Sequence, residues 1–194
     1  MKVTYLSSMQ NTDILIRRAT EQDAPIVAEI GRVTVRAAHK ASCSVADMDV
    51  YMAAHYNDAA ILEELSDPAN IYHLMYYGGR AVGFSKIVLN APHANITDKN
   101  VTKLDRIYLY SDLFGKQLGY HLLNHNIALS KEEGQAGIWL FTWVGNTRAI
   151  KFYERTGFDI IGGHNFRISE THSNPNHHML LLYDRSPFAA DDML

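Results

Sequence analysis

The sequence has a single cysteine, Cys43, and no long uncharged apolar run. One cysteine cannot form an intrachain disulfide, so the fold must depend on its apolar core. A bilayer-spanning helix needs about 18 consecutive apolar residues, and no stretch of the chain approaches that length. The amino terminus also lacks the apolar segment of a signal peptide. We therefore expect a cytoplasmic protein that does not enter a membrane.

The sequence also lacks an excess of basic charge. Its 18 lysines and arginines are outnumbered by 21 aspartates and glutamates, and the formal net charge at pH 7 is −3. Nucleic-acid binding depends on neutralising phosphates with basic side chains, so we expect no nucleic-acid partner. The slightly acidic balance is compatible with a cationic substrate. With 194 residues and 47% apolar content, the chain can bury a sizeable core in one domain.

The pattern of apolar residues predicts mixed secondary structure in the first half. Two runs, 71–77 and 81–89, are joined by Gly78 and Gly79, and adjacent glycines supply the positive φ angles of a tight hairpin turn. Pro25 lies where the first turn of a helix tolerates it. The predicted elements are a strand at 13–18, helices at 23–37, 47–56 and 59–65, a loop at 90–100 and a strand at 101–110.

Two strand-to-helix units follow. The run VTKLDRIYLY leads into the turn DLFGKQLG and a helix, and the run IWLFTW leads into a helix that carries AIKFYERTGF. Gly115 and Gly119 allow a sharp turn and a close approach of a ligand to the backbone. Because a helix begins with unpaired N–H groups, this turn suits a phosphate or pyrophosphate. A tight strand–helix connection without a ligand is the alternative.

The second unit carries a longer motif. Asn146, Ala149, Tyr153, Gly157 and Phe158 follow the spacing N-x-x-A-x-x-x-Y-x-x-x-G-F, which places the alanine and the tyrosine on one helical face. Together with L-x-R-I-Y-L before the glycine turn, this motif resembles the GNAT superfamily of N-acyltransferases.

Within that superfamily, the spermidine/spermine (polyamine) acetyltransferase branch is most similar. The similarity covers IWLFTWVGNTRAIKFYERTGF and continues with Gly163, His164, Phe166 and Met179. The resemblance implies an α/β fold with a mixed, mostly antiparallel central sheet, helices on both faces and a splayed pair of central strands. It also implies one domain at residues 13–184, with a leader at 1–12 and a tail at 185–194.

The resemblance further implies acetyl-CoA as acyl donor. Its pyrophosphate would bind the backbone N–H groups of Phe114, Gly115, Lys116, Gln117, Leu118, Gly119 and Tyr120. Its pantetheine arm would pair with the main chain of Ile107, Tyr108 and Leu109. Two residues depart from the family pattern: Phe114 replaces a frequent Arg or Gln, and Gln117 replaces a frequent Gly. Lys116 could compensate for the first change electrostatically.

The resemblance also suggests catalytic roles. Tyr153 is the expected general acid, because a phenol can protonate the leaving thiolate; a buried packing role is the alternative. A backbone N–H near Leu109 would stabilise the tetrahedral oxyanion. Asn146 would contact the pantetheine or order a water, or cap the helix that follows it; both roles are compatible.

The general base and the acceptor are less defined. Lys103 stands where many relatives have glutamate, which leaves Asp105, Glu29 and Asp47 as candidates for the general base.

The missing carboxylate weakens the expectation of a cationic acceptor. We expect direct transfer in a ternary complex to a small amine or polyamine. An amino-terminal or lysine acceptor, or a non-catalytic CoA-binding sensor, remains open.

The resemblance also implies that the first two helices and their loop form one wall of the acceptor pocket. The candidates to line it are Arg36, His39, Tyr51 and Tyr56, although the two tyrosines also suit plain packing. Relatives often dimerise, so a homodimer is expected.

Three further features have ordinary explanations. The histidines at 172, 177 and 178 lack recognised ligand spacing, and we expect no metal. Cys43 is interpreted as a plain thiol. The alternating Trp139, Phe141 and Trp143 are expected to pack against a helix.

Overall fold

The computed structural model describes residues 13–170 and 172–185. The predicted leader at 1–12 lies outside the described residues, as does the predicted tail apart from residue 185. The strands are β1 (Ile14–Arg18), β2 (Ile71–Tyr77), β3 (Arg80–Val88), β4 (Val101–Leu109), β5 (Gly137–Trp143), β6 (Asp159–Arg167) and β7 (Ser173–Leu182). The helices are α1 (Ala24–Ala38), α2 (Val45–His55), α3 (Asp58–Ser66), α4 (Leu118–Glu132) and α5 (Thr147–Arg155). Within the described part of the chain, none of the helices has the length and apolarity to cross a bilayer.

The seven strands form one sheet in the order β1-β2-β3-β4-β5-β7-β6. The predicted hairpin joins β2 to β3, and Gly78 and Gly79 take the positive φ angles of +57° and +78° that its turn requires. The pairing of β3 with β4 shifts register next to Asp105, because Lys86 opposes Arg106 whereas Ile87 opposes Leu104. Asp105 is therefore the extra residue of a β-bulge, which locally bends β4.

The centre of the sheet is splayed. β4 and β5 are its one parallel pair, and they are hydrogen-bonded neighbours only from Val101 to Lys103 on β4. Beyond that point each strand keeps its outer neighbour, as β4 pairs with β3 up to Leu109 and β5 pairs with β7 up to Trp143. The mixed sheet with a splayed central pair is thus confirmed, and the divergence leaves a free backbone edge on β4.

Helices cover both faces of the sheet. On one face α1, α2 and α3 pack over Tyr72, Leu74 and Phe84, all fully buried. On the other face α4 contributes Leu123 and α5 contributes Tyr153 to a cluster with the central strands. This two-sided burial explains why β2 and β3 are continuous apolar runs with no strict alternation.

One polar stretch of the sequence forms a strand, and one expectation about packing is wrong. Residues 173–176 belong to β7, where Asn176 pairs with Trp143 on one side and His164 on the other. The ring of Trp139 packs with Ile96 of the 90–100 loop and not against a helix. Its indole N–H donates to the carbonyl of residue 91 at 2.8 Å, so the loop replaces a helix as cover on this part of the sheet.

Candidate active site

A cleft with a cavity volume of about 1190 Å³ opens where β4 and β5 diverge. Its walls come from the end of α1, from α2, from the start of α4 and from one side of α5. The splay positions this cleft, because two strands that separate cannot fill the space between them with their own side chains. Both sequence motifs therefore face a single space.

The first wall is the free edge of β4. Ile107, Tyr108 and Leu109 all line the cleft, and on the β5 side this stretch has no strand partner among residues 13–170 and 172–185. Its unpaired main-chain groups can accept an extended chain as an additional strand. The structure thus brings all three residues to the cleft with a free backbone edge.

The second wall is the turn that opens α4. Gly115 and Gln117 both adopt positive φ, +86° and +59°, which directs the turn into the helix. The N–H groups of Gly115, Gln117, Leu118 and Gly119 have no acceptor within the described part of the chain. They form a cluster of free donors at the positive end of a helix, and such a cluster suits an anion.

Three other N–H groups of the expected anion site are already engaged. Phe114 N–H donates to Ser111, Lys116 N–H to Leu113 and Tyr120 N–H to Gln117, each to a backbone carbonyl. The expected seven-residue site therefore narrows to four free donors, although Phe114 and Tyr120 still line the cleft with their side chains.

Lys116 does not compensate for Phe114. Its ammonium lies 5.4 Å from the centre of the Tyr77 ring, and the residue does not line the cleft. Instead the guanidinium of Arg148 stacks 3.5 Å from the centre of the Phe114 ring. A stacked arginine is a pre-organised cation, and Arg148 has no ion pair with any residue that the structure describes.

The third wall carries Tyr153 and Asn146 on α5. Tyr153 lines the cleft with only 7% of its surface exposed, and burial raises the pKa of its phenol. The phenol is therefore protonated at neutral pH and able to donate a proton. The Asn146 side chain accepts from the N–H of Ala149 at 3.2 Å, so the helix-capping role is present, and the residue also lines the cleft.

Residues 35–158 match the model of the acetyltransferase (GNAT) family. This segment contains β4, the α4 turn and α5, which together form the cleft. The chain belongs to the GNAT acetyltransferase family. It is an acetyl-CoA-dependent N-acetyltransferase of that family.

Similar proteins agree with this assignment. An uncharacterized N-acetyltransferase of Mycobacterium tuberculosis strain H37Rv is 27% identical over 124 residues, which are 64% of this chain and 75% of the relative. The structure of PaiA N-acetyltransferase from Thermoplasma acidophilum, in complex with coenzyme A, has a TM-score of 0.70 at 19% identity over 88% of this chain and 99% of that one. The ribosomal-protein-S18-alanine N-acetyltransferase of Escherichia coli has a TM-score of 0.64 at 16% identity over 93% and 99%. These two structures share the fold.

An ionic network lies beside the GNAT cleft and reaches its lining through Lys103, Asp105 and Arg106. Glu64 on α3 accepts from Lys86 at 2.6 Å and from Arg106 at 2.8 Å. Asp105 accepts from Lys103 at 2.6 Å and lies 3.4 Å from the Lys86 ammonium. Burial alone would raise the pKa of Asp105, but the neighbouring cations Lys103, Lys86 and Arg106 together outweigh burial, so the pKa lies below its usual range. Both carboxylates are ionised and shared among three cations.

The structure brings three of the four expected acceptor residues to the GNAT cleft. His39, Tyr51 and Tyr56 line it, and Tyr51 meets the ring of Phe166 edge-on with 6.2 Å between centroids. Tyr56 is 1% exposed, so packing is also part of its role. Arg36 is not brought there: it lies in a separate groove between α1 and α2 and donates to Asp49 at 2.6 Å.

The other candidate bases lie away from the cleft. Glu29 is exposed on α1, and Asp47 accepts from the Ser44 hydroxyl at 2.6 Å at the start of α2. Neither lines the cleft, whereas Asp105 does. Among described residues, Asp105 is the one carboxylate of the lining.

Several lining residues of the GNAT cleft were missed from sequence. They are His55, Trp143, Arg148, Arg155, Phe166, Arg167, Asn174 and Asn176. Arg148 and Arg155 lie within the family motif at 146–158, so their positions could have signalled their place, whereas the other six lie outside it. In residues 13–170 and 172–185 no group of three His, Cys, Asp or Glu side chains could hold a metal ion.

Proposed function

We propose that the enzyme transfers the acetyl group of acetyl-CoA directly to the primary amine of a small molecule within a ternary complex. The observation that carries this proposal is that one cleft contains the free β4 edge, the four free N–H groups of the α4 turn and the buried phenol of Tyr153. Direct transfer is supported by the position of Cys43, the only cysteine of the sequence, which lies in the α1–α2 groove and not in the cleft.

Acetyl-CoA, the acyl donor, would lie along the residues already described. The pantetheine pairs with the main chain of residues 107–109, and the pyrophosphate accepts from the four free N–H groups of the turn. Arg148, held on the Phe114 ring, supplies a cation for one of the cofactor phosphates. This placement is supported by the absence of any competing partner for these groups within the described part of the chain.

The chemistry needs one nucleophilic attack and one proton delivery. The amine nitrogen attacks the thioester carbonyl carbon and forms the C–N bond, while a backbone N–H near Leu109 stabilises the oxyanion. Collapse of the intermediate breaks the C–S bond, and Tyr153 protonates the leaving thiolate. Solvent then returns a proton to Tyr153, which gives the N-acetyl product, free coenzyme A and the starting enzyme.

The acceptor must also lose two protons. An alkylamine has a pKa near 10 and is mostly an ammonium at pH 7, so one proton must leave before the attack, and a second leaves the nitrogen after the C–N bond has formed. Asp105 is the one carboxylate lining the cleft among described residues, but its depressed pKa makes it a weak base. We therefore assign both protons to cleft water, with Asp105 orienting it; one of them balances the proton that solvent returns to Tyr153.

The test is thiol release from acetyl-CoA with a panel of amines: spermidine, spermine, amino acids, aminoglycosides and short peptides. Release with small amines, intersecting initial-velocity lines and no acetylated enzyme by mass spectrometry would support direct transfer. Parallel lines together with an acetylated residue would contradict it.

The panel also separates the alternatives. Selective release with spermidine and spermine would support the polyamine acceptor expected from the resemblance, and release with peptides alone would favour an amino-terminal acetyltransferase. Coenzyme A binding without turnover would favour a sensor. The single domain at residues 13–184, the homodimer and the cytoplasmic location stay predictions; sedimentation and limited proteolysis test the first two.

A further inference from the structure

The charged groups of the cleft are unbalanced. Five cationic residues line it, against one carboxylate among the described residues. Arg148 and Arg155 lie on α5, on the donor side, where the phosphates of the cofactor would neutralise them. Lys103 and Arg106 lie on β4 before residues 107–109, and Arg167 lies at the end of β6. None of these three residues belongs to the expected acetyl-CoA site. This second group needs a different explanation.

The ionic network does not neutralise the second group. Glu64 and Asp105 are shared among Lys86, Lys103 and Arg106, so three cations face two carboxylates. Each carboxylate already has at least two cationic neighbours within 4 Å. A polycationic acceptor entering here would find no uncommitted carboxylate and would be repelled by the surplus charge.

Arg167 adds a cation that has no carboxylate partner among the residues that the structure describes. Its Nε donates to the carbonyl of Ser169 at 3.1 Å and Nη2 to the carbonyl of Glu170 at 3.5 Å. Both contacts are solvent-exposed, and they leave other N–H groups of the guanidinium unused. Among the described residues Arg167 forms no ion pair, although it lines the cleft next to the partly exposed ring of Phe166.

We propose that the acceptor is a small primary amine that also carries a carboxylate, which Arg167 binds while the amine meets the thioester. The carbon chain between the two groups would pack on the rings of Phe166 and Tyr51, which meet edge-on at the acceptor wall. An arginine fork matches a carboxylate bidentately, and the surplus positive charge of the network favours the same end group. This inference rests on the proposed N-acetyl transfer.

Three four-carbon amines isolate the effect of the end group. 4-Aminobutanoate, 1-aminobutane and 1,4-diaminobutane present the same primary amine and end in a carboxylate, a methyl group or an ammonium. We expect kcat/KM for thiol release to fall in that order, with the carboxylate about tenfold above the methyl compound, the usual size of a charged hydrogen-bond contribution. An equal or higher rate with the diamine overturns the proposal.

A peptide pair distinguishes the source of the carboxylate. Gly-Asp amide and Gly-Lys amide differ in the end charge of one side chain and offer the same α-amine. Faster release with Gly-Asp amide than with 4-aminobutanoate would assign the carboxylate to a peptide, and the reverse order would assign it to a free amino acid. Thiol release without any preference for carboxylates overturns this inference alone, whereas silence of all five amines overturns the proposed transfer as well.

Arg167→Gln tests the residue itself. We expect it to reduce the preference for 4-aminobutanoate over 1-aminobutane about tenfold and to leave coenzyme A affinity, measured by calorimetry, unchanged. Lys151→Gln removes the same charge from an exposed position outside the cleft and should keep the wild-type preference. A weaker affinity for coenzyme A with an unchanged acceptor preference would mean that Arg167 contacts the cofactor and not the acceptor, which would overturn the assignment.

Discussion

The two ends of the cleft present different chemical groups to the ligands that we propose for them. The donor end offers mainly backbone: the free edge of β4 and four N–H groups of the α4 turn. The acceptor end offers side chains, with an ionic network between Glu64 and Asp105 and a rim of aromatic rings. Backbone recognition tolerates changes such as Phe114, whereas a network of buried charges does not tolerate the loss of one member.

The comparison explains where selectivity resides. A chain that pairs with a strand edge and a helix terminus is recognised by the geometry of the main chain, which many sequences can form. An acceptor that meets fixed charges is recognised by their signs and positions. We therefore expect substitutions at the donor end to leave cofactor affinity nearly unchanged unless they remove a cation, and substitutions at the acceptor end to change stability or substrate preference. Four predictions test this division.

The largest effect is expected where the two ends meet, at Tyr153. Tyr153→Phe removes the proton donor and keeps the ring, so kcat should fall by about 100-fold or more. Because we expect coenzyme A to be held mainly by backbone groups, its affinity for the enzyme should change by less than about threefold. Steady-state thiol release and calorimetric titration with coenzyme A measure the two quantities.

Tyr183→Phe is the matched control for this change. The Tyr183 hydroxyl donates to Ser130 at 2.7 Å and the residue does not line the cleft, so its turnover should match the wild type. Full turnover in Tyr153→Phe would remove the general-acid assignment, and an equal loss in both variants would point to destabilisation as the cause.

The second largest effect is expected from the ionic network. Glu64→Gln leaves Lys86 and Arg106 without their shared carboxylate, and breaking a buried pair in this way costs about 3 kcal/mol of the free energy of unfolding. Urea denaturation followed by circular dichroism measures it. Glu63→Gln, on the same helix but exposed, is the control and should change stability by less than about 0.5 kcal/mol.

The pH dependence gives a second readout of the same network. Burial raises the pKa of Glu64, but Arg106 and Lys86 outweigh burial and the pKa lies below its ordinary value of 4.5. A carboxylate whose pKa is depressed in the folded state stabilises the fold fully above pH 4.5. This stabilisation is lost as the pH falls through the pKa of the folded state. The wild type should therefore lose more stability than Glu64→Gln below pH 4.5, and parallel curves would contradict this account.

Sequence reasoning named residues of the β4 edge, the α4 turn and α5 that line the cleft, and it missed the ionic network beside them. Tyr153 and Asn146 reach the cleft because they lie at fixed spacing on one helix, and the splay of β4 follows from the family fold. The network was missed because its members, such as Glu64 and Lys86, come from separate elements that only tertiary packing brings together. A lysine inside the apolar run of β3 was the available signal, since a buried charge requires a partner.

The third prediction concerns the one side-chain cation at the donor turn. Arg148→Gln removes the guanidinium that stacks on Phe114, so affinity for coenzyme A should weaken about tenfold, or about 1.4 kcal/mol, while acceptor preference is retained. Calorimetric titration measures the affinity, and Lys151→Gln on the exposed side of the same helix is the charge-matched control. Unchanged affinity would mean that the backbone donors suffice for the cofactor phosphates.

The smallest effect is expected at Gln117, which has a φ of +59° at the start of α4. A left-handed conformation costs a non-glycine residue about 1–2 kcal/mol, and part of this cost returns as unfolded-state entropy when glycine is introduced. Gln117→Gly should therefore raise the free energy of unfolding by about 0.5 kcal/mol and leave coenzyme A affinity within about twofold of the wild type, because the turn presents backbone.

Gln117→Ala separates the two contributions at this position. It retains the strained φ and removes the amide, so it should show no gain in stability and the same affinity for coenzyme A as the wild type. If both variants lose affinity, the Gln117 side chain contacts the cofactor and the donor end is not read through backbone alone. If only the glycine variant loses affinity, the restricted φ of Gln117 pre-organises the N–H groups, and the family's frequent glycine would be replaced here by a stiffer turn.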